Sequence, residues 1–111
     1  MVGARFARMG ADTKSKQEVD QWLLVQPAVF SAEIAQSTSV GAAQHAVATK
    51  TLFAEQITPI REVIDGFHPG HQEEHNITLL DGTGVGLWDL VVALAAARLA
   101  KAQGLGQRVT L

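Results

Sequence analysis

Residues 76–106, NITLLDGTGVGLWDLVVALAAARLAKAQGLG, decide the fold. The β-branched Ile77 and Thr78 make NITLL a strand that ends at Asp81. A glycine-rich turn follows, Gly82-Thr83-Gly84-Val85-Gly86, and then an alanine-rich apolar helix from about Leu87 to Gln103. Gly104 suits the left-handed position that closes a helix, and Arg98 and Lys101 sit near the negative end of the helix dipole. Strand, glycine turn and helix in this order resemble the phosphate-gripping entry of a dinucleotide fold. That fingerprint is G-x-G-x-x-G with an acidic residue about 20 positions on. Here the spacing is G-x-G-x-G, and no acidic residue follows Asp89. The sequence therefore favours a tight strand-to-helix turn, in which glycines permit positive φ and close backbone approach. A third reading keeps the helix N-terminus as a set of free amides that touch a cofactor from another side.

Working back toward the N-terminus, strands and helices alternate. GARFARMGA (3–11) reads as a short strand, and PAVFSAE (27–33) carries Val29 and Phe30 as a buried one. Between them, Ser15 and Glu18 have capping-box spacing, which predicts a helix from about Lys16 to Leu24 that Pro27 ends. SVGAAQHAVATKTL (39–52) has helical rhythm, with Val40, Ala43, Val47 and Leu52 on one face and Gly41 as a weak point. Residues 57–76 are less regular: Ile60, Val63 and Ile64 form an apolar patch, and Gly66 and Pro69-Gly70 signal turns. RVTL adds a last short strand. The alternation predicts an α/β fold with a parallel sheet. Leu87, Trp88, Leu90, Val91, Val92 and Leu94 cannot all face one sheet, so the last helix is expected to be covered by the sheet on one side and by another helix or subunit on the other.

Bulk properties exclude several functions. The chain has 111 residues, 47% apolar and 18% charged, with a formal net charge of −2, so one domain without a basic stripe for nucleic acid is expected. Cysteine is absent, which excludes disulfides and thiolate metal sites and is compatible with a cytoplasmic location. The apolar run LVVALAAA (90–97) is too short for a membrane span, and MVGARFARMGAD carries no signal-peptide run. His68, His71 and His75 flank Glu73 and Glu74, but they follow Pro69-Gly70 with no helix to align them, so a solvated loop is expected and no metal. His45 is expected as a packed or capping histidine. No G-x-S-x-G surrounds Ser31, Ser37 or Ser39, and Trp22 and Trp88 read as packing or interface anchors.

Three segments in order and spacing, GADTKSKQEVD (10–20), GAAQHA (41–46) and ITLLDGTGVGLWDL (77–90), resemble the C-terminal part of the ornithine cyclodeaminase/mu-crystallin family. The resemblance runs from about Gly3 to Val109 and implies about the last third of a member. It implies a partial Rossmann-like parallel sheet with flanking helices, residues 3–82 standing for the later part of the nucleotide-binding domain, and a C-terminal dimerisation helix over 85–111. It implies NAD or NADP as cofactor and a small amino acid or cyclic imine as substrate. Asp12 matches the family's catalytic aspartate, Lys16 the lysine that orders the loop near the cofactor, and Gly82, Thr83 and Gly84 the turn that approaches the nicotinamide. Ser15 stands where the family commonly has glycine, Ala42 replaces an acidic residue and Trp88 a smaller polar one. The substrate-carboxylate arginine and lysine and the glycine fingerprint belong to upstream segments without a counterpart here. Two functions are thus expected to compete: a portion of an NAD(P)-dependent cyclodeaminase or imine reductase, not catalytically competent alone, or a noncatalytic homo-oligomeric α/β module. Both leave apolar surface uncovered, so self-association is expected.

Overall fold

Four short runs pair into one sheet in a computed structural model that describes residues 3–10, 13–84, 86–107 and 109–110. The strands are β1 (Arg5–Arg8), β2 (Ala28–Ser31), β3 (Ile57–Pro59) and β4 (Thr78–Asp81). Every pairing is parallel, and the spatial order is β1-β4-β2-β3. The last strand in sequence is thus inserted beside the first, between β1 and β2. Its register sets Phe6, Leu79 and Val29 abreast, and two residues on, Arg8, Asp81 and Ser31. The α/β class with a parallel sheet and flanking helices is therefore the observed architecture.

Because successive strand residues face opposite sides, the sheet separates two surfaces. On one face Val29, Ile57 and Leu79 pack with Leu24, Leu52, Ala43 and Ala46 into the buried core. The two alanines are fully buried, and their small size lets the short helix α2 (Gln44–Ala48) approach the strands closely. On the other face Ala7, Phe30 and Leu80 border an open groove of about 490 Å³, with Ile60 and Val63 of α3 (Ile60–Ile64) opposite. His68 meets Phe30 edge-on at 5.3 Å, and His71 Nδ1 lies 3.1 Å from Thr78 Oγ1, so two of the loop histidines are engaged at this face.

Several elements differ from the sequence reading, each for a local reason. No α-helix forms over residues 16–24; a 3₁₀ turn, Gln21–Leu24, is capped by Asp20, whose carboxylate accepts the Trp22 N–H at 2.9 Å. Ser15 has φ +71°, which is not the extended geometry of an N-cap, and Glu18 pairs with Lys16 and with Arg8 at the end of β1. Of the helix expected over 39–52, only Gln44–Ala48 (α2) and Ser39, the last residue of α1 (Ile34–Ser39), are helical, and the chain turns between them at Gly41. A Cβ at Gly41 would stand 2.6 Å from both Asp81 Oδ2 and the Ser37 Cα, so only glycine fits the junction. The start of α1 and the strand β3 lay in stretches with no clear periodicity. Val109 and Thr110 join no strand, and the rest of RVTL lies outside the described residues.

The long helix α4 (Gly86–Ala102) begins and ends close to the expected boundaries. Its C-terminus is a Schellman closure: Gly104 at φ +67° donates to Lys101 O, and Leu105 N donates to Ala100 O at 2.8 Å. The helix does not lie on the sheet, contrary to the expected cover on that side. Only Trp88 and Ala100 are half-buried, while Leu90 and Val92 are 64% and 67% exposed. Trp88 reaches a hollow beside Glu33, Gln36, Ile60 and Ile64, and the remainder of the helix projects. The radius of gyration, 17.4 Å, accordingly exceeds the roughly 13 Å of a compact domain of this size.

Candidate functional site

The carboxyl ends of β1 and β4 converge on one buried carboxylate. Asp81 closes β4 with no solvent exposure and spends both oxygens. Oδ1 accepts from Arg8 Nη1 at 2.8 Å; Oδ2 accepts from Ser37 Oγ at 2.6 Å and from the Ala42 N–H at 2.8 Å. A charge without water costs several kcal/mol unless paired and hydrogen-bonded, and these donors meet that demand. Arg8 Nε also lies 3.2 Å from Glu18 Oε2, and Lys16 Nζ lies 3.1 Å from Glu18 Oε1. Asp81 thereby joins β1, β4, α1 and the α1–α2 junction.

The glycine turn leaves this anchor directly. Gly82 donates its N–H to Arg8 O at 2.8 Å, holding the turn against the end of β1. Thr83 is 1% exposed, and its hydroxyl turns inward to Gln36 Oε1 at 3.0 Å. Gly82, Gly84 and Gly86 do not have positive φ, which corrects the expectation that backbone conformation demands them. Close approach does hold at Gly82, where an added Cβ would meet the Met9 thioether. At Gly84 and Gly86 an added Cβ would meet nothing within 4 Å among the described residues beyond the chain neighbours. Among the described residues, none crowds either position.

The loop after β1 comes to the same end of the sheet. Lys16 Nζ donates to Gly10 O at 2.9 Å, closing the loop across its own base, and Gln44 bonds to it from α2. Asp12 lies outside the described residues. Of the site residues expected from sequence, the structure thus places Lys16, Gly82, Thr83 and Gly84 at the carboxyl ends of adjacent strands, where ligands bind in open α/β sheets. Arg8, Gln36, Ser37, Gln44 and Asp81 were not anticipated as a group. The available signal was a charged residue closing each of two strands, Arg8 and Asp81, where alternation would place an inward side chain.

The model of the "Ornithine cyclodeaminase/mu-crystallin family" matches residues 1–102. The chain belongs to this family. An iminosuccinate reductase of Paracoccus denitrificans is 44% identical over 106 residues, which are 96% of this chain and 33% of that protein. The crystal structure of the Paracoccus denitrificans iminosuccinate reductase in complex with NAD+ superposes with a TM-score of 0.85 at 41% identity, over 100% of this chain and 34% of the other. An archaeal alanine dehydrogenase dimer with bound NAD gives a TM-score of 0.82 at 27% identity, over 99% of this chain and 35% of the other. This member of the cyclodeaminase/mu-crystallin family therefore spans about a third of the length of the relatives it matches. Among the described residues, no helix is long and apolar enough to cross a membrane.

Proposed function

We propose that this chain is the C-terminal portion of an NAD(P)-dependent imine reductase or cyclodeaminase-like protein, and that it needs the remaining portion for catalysis. Residues 3–82 contribute the later strands of the nucleotide-binding domain, and residues 85–111 serve self-association. The observation that carries the proposal is the open space at Gly84 and Gly86, where among the described residues nothing but the chain neighbours would meet an added Cβ within 4 Å. A small, unobstructed backbone beside the first turn of a 17-residue helix suits the approach of a nicotinamide dinucleotide. The residues fit one end of such a cofactor, because the sequence contains no G-x-G-x-x-G to hold the pyrophosphate.

When bound, the nicotinamide supplies or accepts the hydride. The work left to this chain is to orient and to move a proton. Gly82 and Gly84 present the turn, and Thr83 fixes it through Gln36. Lys16 braces the loop by its bond to Gly10 O. Asp12 is assigned the proton transfer at the substrate nitrogen, since a carbon-nitrogen double bond accepts hydride more readily when a carboxyl group protonates or pairs with that nitrogen. The substrate class is a small imino or amino acid, as in the relatives' names.

The test is complementation with the N-terminal two thirds of the Paracoccus denitrificans reductase, read by NADH and NADPH fluorescence titration and by NADH oxidation with an imino acid. The mixture is expected to bind and oxidise NADH, Gly84→Trp to lose binding, and Asp12→Asn to keep binding while turnover drops at least 100-fold. Turnover by the chain alone would refute the need for a second portion, and unimpaired binding by Gly84→Trp would refute the placement of the turn. The apolar, projecting α4 also favours a second function, a noncatalytic homo-oligomeric module. An associated chain that never binds dinucleotide, even when complemented, would select it.

A further inference from the structure

One side chain fastens the loop that follows β1. Gln44, in the first turn of α2, accepts the Ser15 N–H on Oε1 at 3.0 Å. Its Nε2 faces four carbonyls: Lys16, Val40 and Gly41 at 3.1 Å each and Thr13 at 3.3 Å. An amide group has two protons, so these are shared between two loop carbonyls and two carbonyls of the α1–α2 junction. Gln44 thus clips the loop to that junction. The junction is itself immobilised, because the adjacent Ala42 N–H donates to the buried Asp81.

A second observation shows the clip under load. Ser15 has φ +71°, a conformation that L side chains other than Asn or Asp seldom adopt and that persists where surrounding contacts hold it. Its own N–H is the group that Gln44 accepts. From the other side, Lys16 Nζ donates to Gly10 O. Gly10 O and Thr13 O thus each accept a side-chain hydrogen bond, from Lys16 and from Gln44.

We propose that Gln44 is a positioning residue that holds the Thr13–Lys16 loop, and with it Lys16, against the Asp81 anchor. Its catalytic sense rests on the function proposed above, whereas the clip does not. Hydrogen exchange on the 111-residue chain separates the two, comparing the wild type with Gln44→Met, which keeps the length, and Gln44→Glu, which keeps the acceptor. In Gln44→Met the Ser15 amide is expected to exchange roughly five- to tenfold faster, with Val29 and Leu79 unchanged.

Gln44→Glu gives a readout that mere space-filling would not. At neutral pH its carboxylate faces the loop carbonyls with no proton to donate, so loop protection falls. As the pH drops toward and below the usual glutamate range, about 4.3, the carboxyl regains a donor and protection returns once intrinsic exchange rates are allowed for. In the complemented enzyme, Gln44→Met lowers kcat roughly tenfold and leaves KM for NADH unchanged. Unaltered Ser15 exchange in Gln44→Met, or wild-type protection of Gln44→Glu at neutral pH, overturns the proposal. If complementation yields no cofactor binding, the proposed function fails while the exchange data still decide the clip.

Discussion

At the scale of single residues, Asp81 shows how a charge can be stabilised inside so short a chain. It has no solvent contact and receives three donors, from Arg8, Ser37 and the Ala42 backbone. Removing the charge but not the shape, as in Asp81→Asn, leaves Arg8 with Glu18 as its remaining carboxylate, 3.2 Å from Nε. The expected loss is about 3 kcal/mol, the low end for breaking a buried pair, measured as a shift in the urea midpoint at constant slope. A loss below about 1 kcal/mol would mean that Glu18 compensates fully. The residues on either side of Asp81 in this network are far apart in sequence. Arg8 is separated from Asp81 by 73 positions and Ser37 by 44, so pairing was invisible along the chain even though the charged strand ends were not.

At the scale of elements, legibility followed local periodicity and caps. The strands at Val29–Phe30 and Thr78–Leu80 were evident from β-branched and aromatic runs, and the long helix from alanine content and Gly104. The false helix after Ser15 came from a capping-box spacing that tertiary contacts override: Gln44 and Lys16 draw residues 13–16 into a loop instead. β3 was hidden because three residues ending in proline carry no period. Family resemblance singled out Lys16 and the glycine turn, which lie at the carboxyl ends of β1 and β4, but the reason for the glycines was not legible. Their φ values had to be seen before positive φ could be set aside at Gly84 and Gly86. At Gly104 positive φ is real, and Gly104→Ala is expected to cost about 1 kcal/mol locally. Faster exchange confined to the amides of Gly104 and Leu105 would report it, and an unchanged last turn would show that the Schellman bonds do not depend on glycine.

At the scale of the whole molecule, the dominant fact is the helix that stands away from the sheet. The chain measures 55 Å in its longest dimension against 25 Å in its shortest, and α4 carries Leu87, Leu90, Val91, Val92, Leu94 and Leu99 exposed. Apolar surface of this kind is expected to draw copies together. Sedimentation should show an associated species at micromolar concentration, and Leu90→Glu combined with Leu94→Lys should shift it to monomer by at least tenfold in dissociation constant. A monomer at several hundred micromolar in the unaltered chain would argue that another portion of the protein covers the helix. The placement of β4 between β1 and β2 has a consequence of another kind, for biosynthesis. β1 leaves the ribosome with its neighbour still unmade, and at ordinary elongation rates the wait is on the order of 10 s. Until β4 arrives, β1 and β2 have no strand between them. The sheet therefore closes from the middle and late, and a nascent chain stalled before Thr78 leaves β1 without its β4 partner and the inner edge of the β2–β3 pair open to any chaperone within reach.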